Sequence, residues 1–259
     1  MSGTRSASPR VPVIDRGPDG PALLFCSHGA RAARVDVSPR LRARARAFGF
    51  AEQAACSLYA EPALEQALDR LAARPVFVVP LLMSEGVTLE ALRQRLAQRN
   101  DGQNIVLCQV LGAHSDLAAR IGADARDQAL AAGWSPEETA VLLIGHGSRR
   151  DGASRRSLFR LGAEIQRWGA FGEVRQALLE EEPGIEAALE SLTCRRVVAV
   201  GCFAEAGRHA LGDVPRLLAE SPLPVISDGP IGTAPWVDDL ILDLAMAGRA
   251  GLSRRSAVS

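Results

Sequence analysis

Leu23-Leu24-Phe25-Cys26-Ser27-His28-Gly29 and Val141-Leu142-Leu143-Ile144-Gly145-His146-Gly147 share one pattern, a short apolar run that ends in His-Gly. Three further blocks repeat in the same order. Glu61-Pro62-Ala63-Leu64-Glu65-Gln66-Ala67-Leu68 matches Glu182-Pro183-Gly184-Ile185-Glu186-Ala187-Ala188-Leu189. Val78-Val79-Pro80-Leu81-Leu82 with Gly86 matches Ala199-Val200-Gly201-Cys202-Phe203 with Gly207. Leu111-Gly112-Ala113 matches Ile231-Gly232-Thr233. Four blocks at nearly constant spacing mark a duplicated domain. The halves are expected over 21–135 and 136–248, with a disordered arm over 1–20 and a flexible tail over 249–259. Each half predicts strands of four to seven apolar residues alternating with helices of about 10–17 residues. The strands fall at 22–27, 53–59, 76–82 and 105–111, and again at 140–145, 174–179, 197–203 and 224–227. Pro62 and Pro183 are expected in the first turns of helices 62–73 and 183–192, where a missing N–H costs nothing. Such strands form a parallel sheet covered on both faces. The fold class is α/β, one four-stranded unit used twice, and ligands of such sheets bind beyond the carboxyl ends of the strands.

The 259 residues hold no lysine, so all 30 basic residues are arginine, against 30 acidic ones. Lysine-free chains have no Schiff-base chemistry and no P-loop of the G-x-x-x-x-G-K-[ST] kind. Zero formal charge argues against a nucleic-acid or membrane-surface binder. Any cationic site must present guanidinium forks, which suit carboxylates and phosphates. The five cysteines are widely spaced without a C-x-x-C pair, and Cys26, Cys108 and Cys202 lie inside apolar runs. That usage predicts a reducing, cytoplasmic setting without a structural zinc or iron–sulfur group. The Ser-, Arg- and Pro-rich start has no apolar core of a signal peptide, and no stretch is long enough to span a membrane.

Four histidines occur: His28, His114, His146 and His209. His28 and His146 each follow an apolar strand and precede a glycine that allows a tight turn. His209, in Glu205-Ala206-Gly207-Arg208-His209, lies where the third strand of the second half turns into a helix. His146 and His209 therefore rise from the top edge of two strands in one half, and two imidazoles in one crevice can hold a divalent metal or move protons near neutral pH. In the first half Thr88 stands where His209 would be, so His28 is alone and that site is degenerate. His114 reads as a loop or cap residue. Arg149, Arg150, Arg155, Arg156, Arg160 and Arg208 gather around the second half's pair. They form either a solvated face or an anion cradle at a strand end. The run Arg40, Arg42, Arg44 and Arg46 reads as mostly solvent-facing.

Leu142 to Arg149, Glu182-Pro183, Gly207-Arg208-His209-Ala210-Leu211-Gly212-Asp213-Val214-Pro215 and Gly229-Pro230-Ile231-Gly232 together resemble the CbiX/SirB-type sirohydrochlorin chelatases. His-Gly-Ser followed about 60 residues later by G-x-H-x-x-x-D-x-P carries the specificity. The resemblance covers roughly residues 22–247. It implies a chelatase-like fold, two tandem Rossmann-like half-domains facing a central cleft. It also implies insertion of Co²⁺, Fe²⁺ or Ni²⁺ into sirohydrochlorin, on the routes to cobalamin, sirohaem or coenzyme F430. In long members of this kind the histidine pair commonly lies in the first half. Here it lies in the second, closer to the CbiK and protoporphyrin ferrochelatase types.

On that resemblance His146 and His209 are catalytic residues and metal ligands, with Glu85 of the first half as a third ligand. Ser148, Arg149, Arg150, Arg208 and His28 would bind substrate. Glu182 and Asp213 would orient histidines. The implied partner is a tetrapyrrole, bound by a monomer or homodimer, and no cofactor is required beyond the substrate metal. Two other readings stay open, a non-catalytic tetrapyrrole or metal carrier and a chelatase for protoporphyrin. A histidine phosphatase is discounted, because Ser27 and Gly145 stand where that chemistry needs arginine.

Overall fold

The computed structural model describes residues 15–16, 19–29, 37–99 and 104–256. In the first half the strands are β1 (Asp15–Arg16), β2 (Ala22–Ser27), β3 (Glu52–Ser57), β4 (Val76–Leu81) and β5 (Ile105–Leu107). In the second they are β6 (Thr139–Gly145), β7 (Glu173–Leu178), β8 (Arg196–Gly201) and β9 (Val225–Ile226). The sheet orders are β1-β3-β2-β4-β5 and β7-β6-β8-β9. All pairings are parallel except the short β1, which joins β3 antiparallel. β2 and β6 are buried along their whole length. That follows from their unbroken apolar runs, which only a sheet covered on both faces accommodates.

The first sheet thus has five strands, one more than expected, because Asp15–Arg16 forms an edge strand inside the expected arm. The rest of that arm, residues 1–14 and 17–18, lies outside the described residues. The last helix corrects the expected tail, since it runs Val237–Ser256; residues 257–259 lie outside the described set. Pro62 and Pro183 also differ from expectation. Both lie ahead of the helices α2 (Leu64–Arg70) and α6 (Ile185–Glu190), each in a cis peptide bond. Their carbonyls accept the Ser57 and Leu178 N–H groups.

The remaining helices are α1 (Pro39–Ala47), α3 (Val87–Ala97), α4 (Leu117–Ala131), α5 (Ala153–Arg167), α7 (Val214–Ala219) and α8, the last helix. α5 buries Leu158, Leu161, Gly162 and Ile165, a helical stripe of i, i+3, i+4 and i+7. α4 and α8 cross between the halves. α4 belongs to the first half by sequence yet packs on β8 and α5 of the second. α8 belongs to the second half and packs on β4, β5 and α1 of the first. Glycines allow the approach: a Cβ on Gly122 would lie 2.6 Å from the Trp168 ring, and one on Gly248 2.8 Å from Cys108 Sγ.

One apolar core therefore runs through both halves, including Phe25, Phe77 and Ile121 together with Leu143, Leu158 and Leu240. Each half keeps a separate outer core beneath its own helices. The run at 40–46 also serves this union. Arg40 and Arg44 pair with Asp239 of α8, and Ser38 Oγ donates to Asp238 Oδ2 at 2.6 Å. Arg40 and Arg46 stay exposed, as expected, while Arg40 and Arg44 also tie the two halves together. Among the described residues no helix is long and apolar enough to cross a membrane.

Candidate active site

In each sheet the strand order reverses between the first and third parallel strands, β2 and β4 or β6 and β8. Helices leave in opposite directions there and open a crevice at the carboxyl edge, the usual ligand site of such sheets. His146 immediately follows β6. Gly147 behind it has φ +80°, and Gly29 behind His28 has φ +97°, a backbone that side chains with a Cβ rarely adopt. Both His-Gly corners therefore need their glycine.

His209 reaches the same crevice from the other side of the switch point. The His146 and His209 rings meet edge to face, with centroids 4.7 Å apart. His209 begins a π-helical turn, His209–Asp213, that leads into α7. The Val214 N–H donates to the His209 carbonyl, five residues back. Pro215 accounts for the widening. It has no N–H for the Leu211 carbonyl, and its ring crowds that position. The first half has Gln94 in the equivalent place, and α3 is regular from Val87. A hollow of about 290 Å³ lies behind the turn, lined by Gly201, Ala210, Val214, Pro215 and Val225 among others.

Hydrogen bonds fix the tautomers. His209 Nδ1 lies 2.7 Å from Asp213 Oδ2, and His146 Nδ1 lies 3.0 Å from the Gly147 carbonyl. Carbonyls and carboxylates only accept, so both Nδ1 atoms carry hydrogen and both neutral rings keep their Nε2 lone pair. Glu180 Oε1 lies 3.8 Å from His146 Nε2. All three side chains remain roughly half exposed, His146 at 42%, His209 at 45% and Glu180 at 48%. Among the described residues no three His, Cys, Asp or Glu side chains are drawn tightly enough to enclose an ion. The arrangement is open to solvent.

The expected site residues divide. His146, His209 and Asp213 come together. Glu182 does not reach a histidine; its carboxylate accepts the Gly184 N–H of its own turn at 3.1 Å. Glu85 is exposed, and its loop meets the second half through its neighbour Val87, whose N–H donates to Asp151 Oδ2 at 2.7 Å. Glu180, not named from the sequence, is the carboxylate within reach of His146. The repeat held the signal for it, because Glu180 stands two positions beyond β7 where Tyr59 stands two positions beyond β3.

Ser148 is occupied in shaping its loop: its N–H goes to Glu181 and its Oγ accepts the Arg150 N–H at 3.3 Å. Arg155, Arg156 and Arg160 are likewise committed, to the carbonyls of Glu182, Asp151 and Gly112. Arg150 and Arg208 are exposed. Arg149, also exposed, is held through Nε by the Glu180 carbonyl at 3.2 Å, leaving its outer fork to face anions. His28 stands at the first half's corner against Tyr59. His114 Nδ1 accepts the Asp116 N–H at the start of α4, a cap as expected.

Asp151 joins the two edges. Its Oδ1 accepts the Ala153 N–H of α5 at 3.0 Å and its Oδ2 the Val87 N–H of α3. One carboxylate thus satisfies the first turn of a helix in each half. The Ala153 N–H first, then the Val87 N–H and Arg156, hold its carboxyl below the ordinary 3.8. A Cβ on Gly86 would lie 2.5 Å from Asp151 Oδ2, so this meeting requires glycine.

Comparison with known proteins agrees with this architecture. The family model described as CbiX matches residues 22–128 and again 140–246. A probable sirohydrochlorin cobaltochelatase of Halobacterium salinarum is 22% identical over 222 residues, covering 71% of this chain and 76% of that protein. The solved structure of CbiX, the terminal enzyme for biosynthesis of siroheme in denitrifying bacteria, superposes with TM-score 0.69. It is 24% identical, covering 88% of this chain and 99% of that one. SirB from Bacillus subtilis with Fe³⁺ superposes with TM-score 0.66 at 21% identity, covering 90% of this chain and 96% of that one. With two successive matches that span most of its length, the chain belongs to the CbiX family.

Proposed function

We propose that this protein inserts Co²⁺ or Fe²⁺ into sirohydrochlorin, with the working site in its second half. The observation that carries the reading is the His146–His209 pair at the switch point, with ring centroids 4.7 Å apart. Both Nε2 atoms are left unprotonated by what each Nδ1 binds. The metal relatives named above support cobalt and iron as the substrate ions.

Insertion exchanges two pyrrole protons for one divalent ion. The incoming ion takes the two Nε2 lone pairs and the Glu180 carboxylate in place of water, since imidazole suits first-row divalent metals. Asp213 holds His209 in the ligating tautomer. As the ion passes to the macrocycle nitrogens, the vacated imidazoles accept the departing protons through their Nε2 lone pairs. Arg149, Arg150 and Arg208 take the rim carboxylates through charge-assisted bonds.

Insertion into sirohydrochlorin, followed by its absorbance change with Co²⁺ and Fe²⁺, tests this. His146→Ala and His209→Ala should each lower kcat by about a hundredfold or more. Asp213→Asn should cost about tenfold. Wild-type rates in both histidine variants would sink the assignment.

A further inference from the structure

The first half keeps the scaffold of the working site but presents different side chains on it. In the second half the Glu180 N–H donates to the His146 carbonyl at 3.0 Å. In the first half the Tyr59 N–H donates to the His28 carbonyl at 3.1 Å. Tyr59 therefore takes the place of Glu180, and Thr88 that of His209. The corner has lost its carboxylate and its second imidazole and gained an aromatic ring. That ring does not pack into the core. It meets His28 edge to face with centroids 5.0 Å apart, while 58% of Tyr59 remains exposed.

The backbone bond fixes where the Tyr59 ring starts, and a tyrosine has only two side-chain torsions to order against a ligand. The two carboxyl edges also adjoin, because the loop after His146 crosses to cap α3 through Asp151. The Tyr59 corner and the His146 corner thus both lie at carboxyl edges, and those edges meet through Asp151. The other large apolar side chains exposed near these edges are Val87, at the start of α3, and Leu211, two residues past His209.

We infer that His28 and Tyr59 form a platform for the flat conjugated face of the tetrapyrrole, holding the macrocycle while the second half delivers the metal. This rests on the chelatase reading and adds to it a role for the half that has lost its metal ligands. Ring-on-ring contact supplies the attraction, and the rim carboxylates are left to the arginines.

The chain contains a single tyrosine, which permits a direct test. Full-length protein carrying ring-¹³C tyrosine should give one aromatic signal. Metal-free sirohydrochlorin, added until its own absorbance shows saturation, should shift that signal upfield through the macrocycle ring current, and Co²⁺ alone should leave it in place. Tyr59→Ala should raise KM for sirohydrochlorin about fivefold with KM for Co²⁺ unchanged, and Tyr59→Phe should behave as wild type. Because Tyr59 is exposed, its thermal unfolding should match wild type. A Tyr59 signal unmoved at saturation overturns the platform while insertion by the wild-type chain leaves the chelatase reading standing. So does a Phe variant as impaired as the Ala variant, or a shift produced by Co²⁺ alone. A wild-type chain that neither binds nor metallates sirohydrochlorin overturns both.

Discussion

Glu52 and Glu173 occupy equivalent places in the repeat and do the same work. Each is the first residue of its strand, β3 or β7, and each is buried. Glu52 Oε2 accepts the Ala72 and Ala73 N–H groups at 2.6 and 2.8 Å. Glu173 Oε1 accepts those of Thr193 and Cys194, both at 2.7 Å. Removing either side chain deletes two charge-assisted hydrogen bonds to part-buried backbone donors, so Glu52→Ala and Glu173→Ala should each destabilise the protein by about 1–3 kcal/mol in denaturant titration. Burial pushes the Glu173 carboxyl up, but the Cys194 and Thr193 donors outweigh it and hold the group below its ordinary 4.5. A depressed carboxyl stabilises the fold above its unfolded pKa, and that contribution is lost as pH falls through the folded value. Thermal unfolding of Glu173→Gln should therefore lose less than wild type on going below about pH 4.5. The repeat relates these two glutamates plainly, yet their role was not legible, because the donors they satisfy lie some twenty residues further along the chain. The cysteines were easier. Burial raises Cys108 and Cys202 to about 12, consistent with packed thiols inside apolar runs.

The turn from His209 to Asp213 shows how one residue type sets an element. Gly207, His209, Asp213 and Pro215 were visible as a motif, but not as a π turn. Pro215 removes the helical donor for the Leu211 carbonyl, and the wider turn aims His209 while keeping Asp213 on its Nδ1. Pro215→Gln, the residue the first half has at this point, should let the turn tighten toward the regular geometry of α3. The expected result is a loss of about ten- to a hundredfold in kcat, from displacement of a positioned ligand. Melting should change little, since the hollow behind the turn leaves it loosely packed. A fall in stability with kcat preserved would contradict this view of the proline. The other strands followed the apolar runs closely, except that the strand expected over 105–111 ends at Leu107 and Leu111 opens a 3-10 turn. The Glu-Pro corners did not, because cis Pro62 and Pro183 put the chain into a loop one or two residues before each helix begins.

At the level of the whole molecule the halves are not separable bodies. α4 covers the second sheet and α8 the first. A chain ending after the first half would lack α8 and expose Phe77, Val106 and Cys108, while its own α4 would have lost the surface it packs on. Neither half expressed alone should give a folded monomer with a cooperative thermal transition. Sedimentation and melting should instead show association or aggregation, and co-expression of both halves should restore a single transition. Independent cooperative unfolding of either half would refute the exchange of helices as a requirement for folding.

The sequence by itself determined the duplication, the α/β class, the strand positions and the two histidines of the second half. These depend on local pattern: apolar runs of strand length, glycines after histidines, and blocks recurring at constant spacing. Only the tertiary structure decided that the last helices are exchanged, that Glu180 faces His146, and that Arg155, Arg156 and Arg160 tie loops together while Arg149, Arg150 and Arg208 stay exposed. The physical reason is common to all three. Each depends on which groups meet across elements distant in the chain, and a helix's apolar stripe or an arginine's fork is equally compatible with several partners until packing selects one.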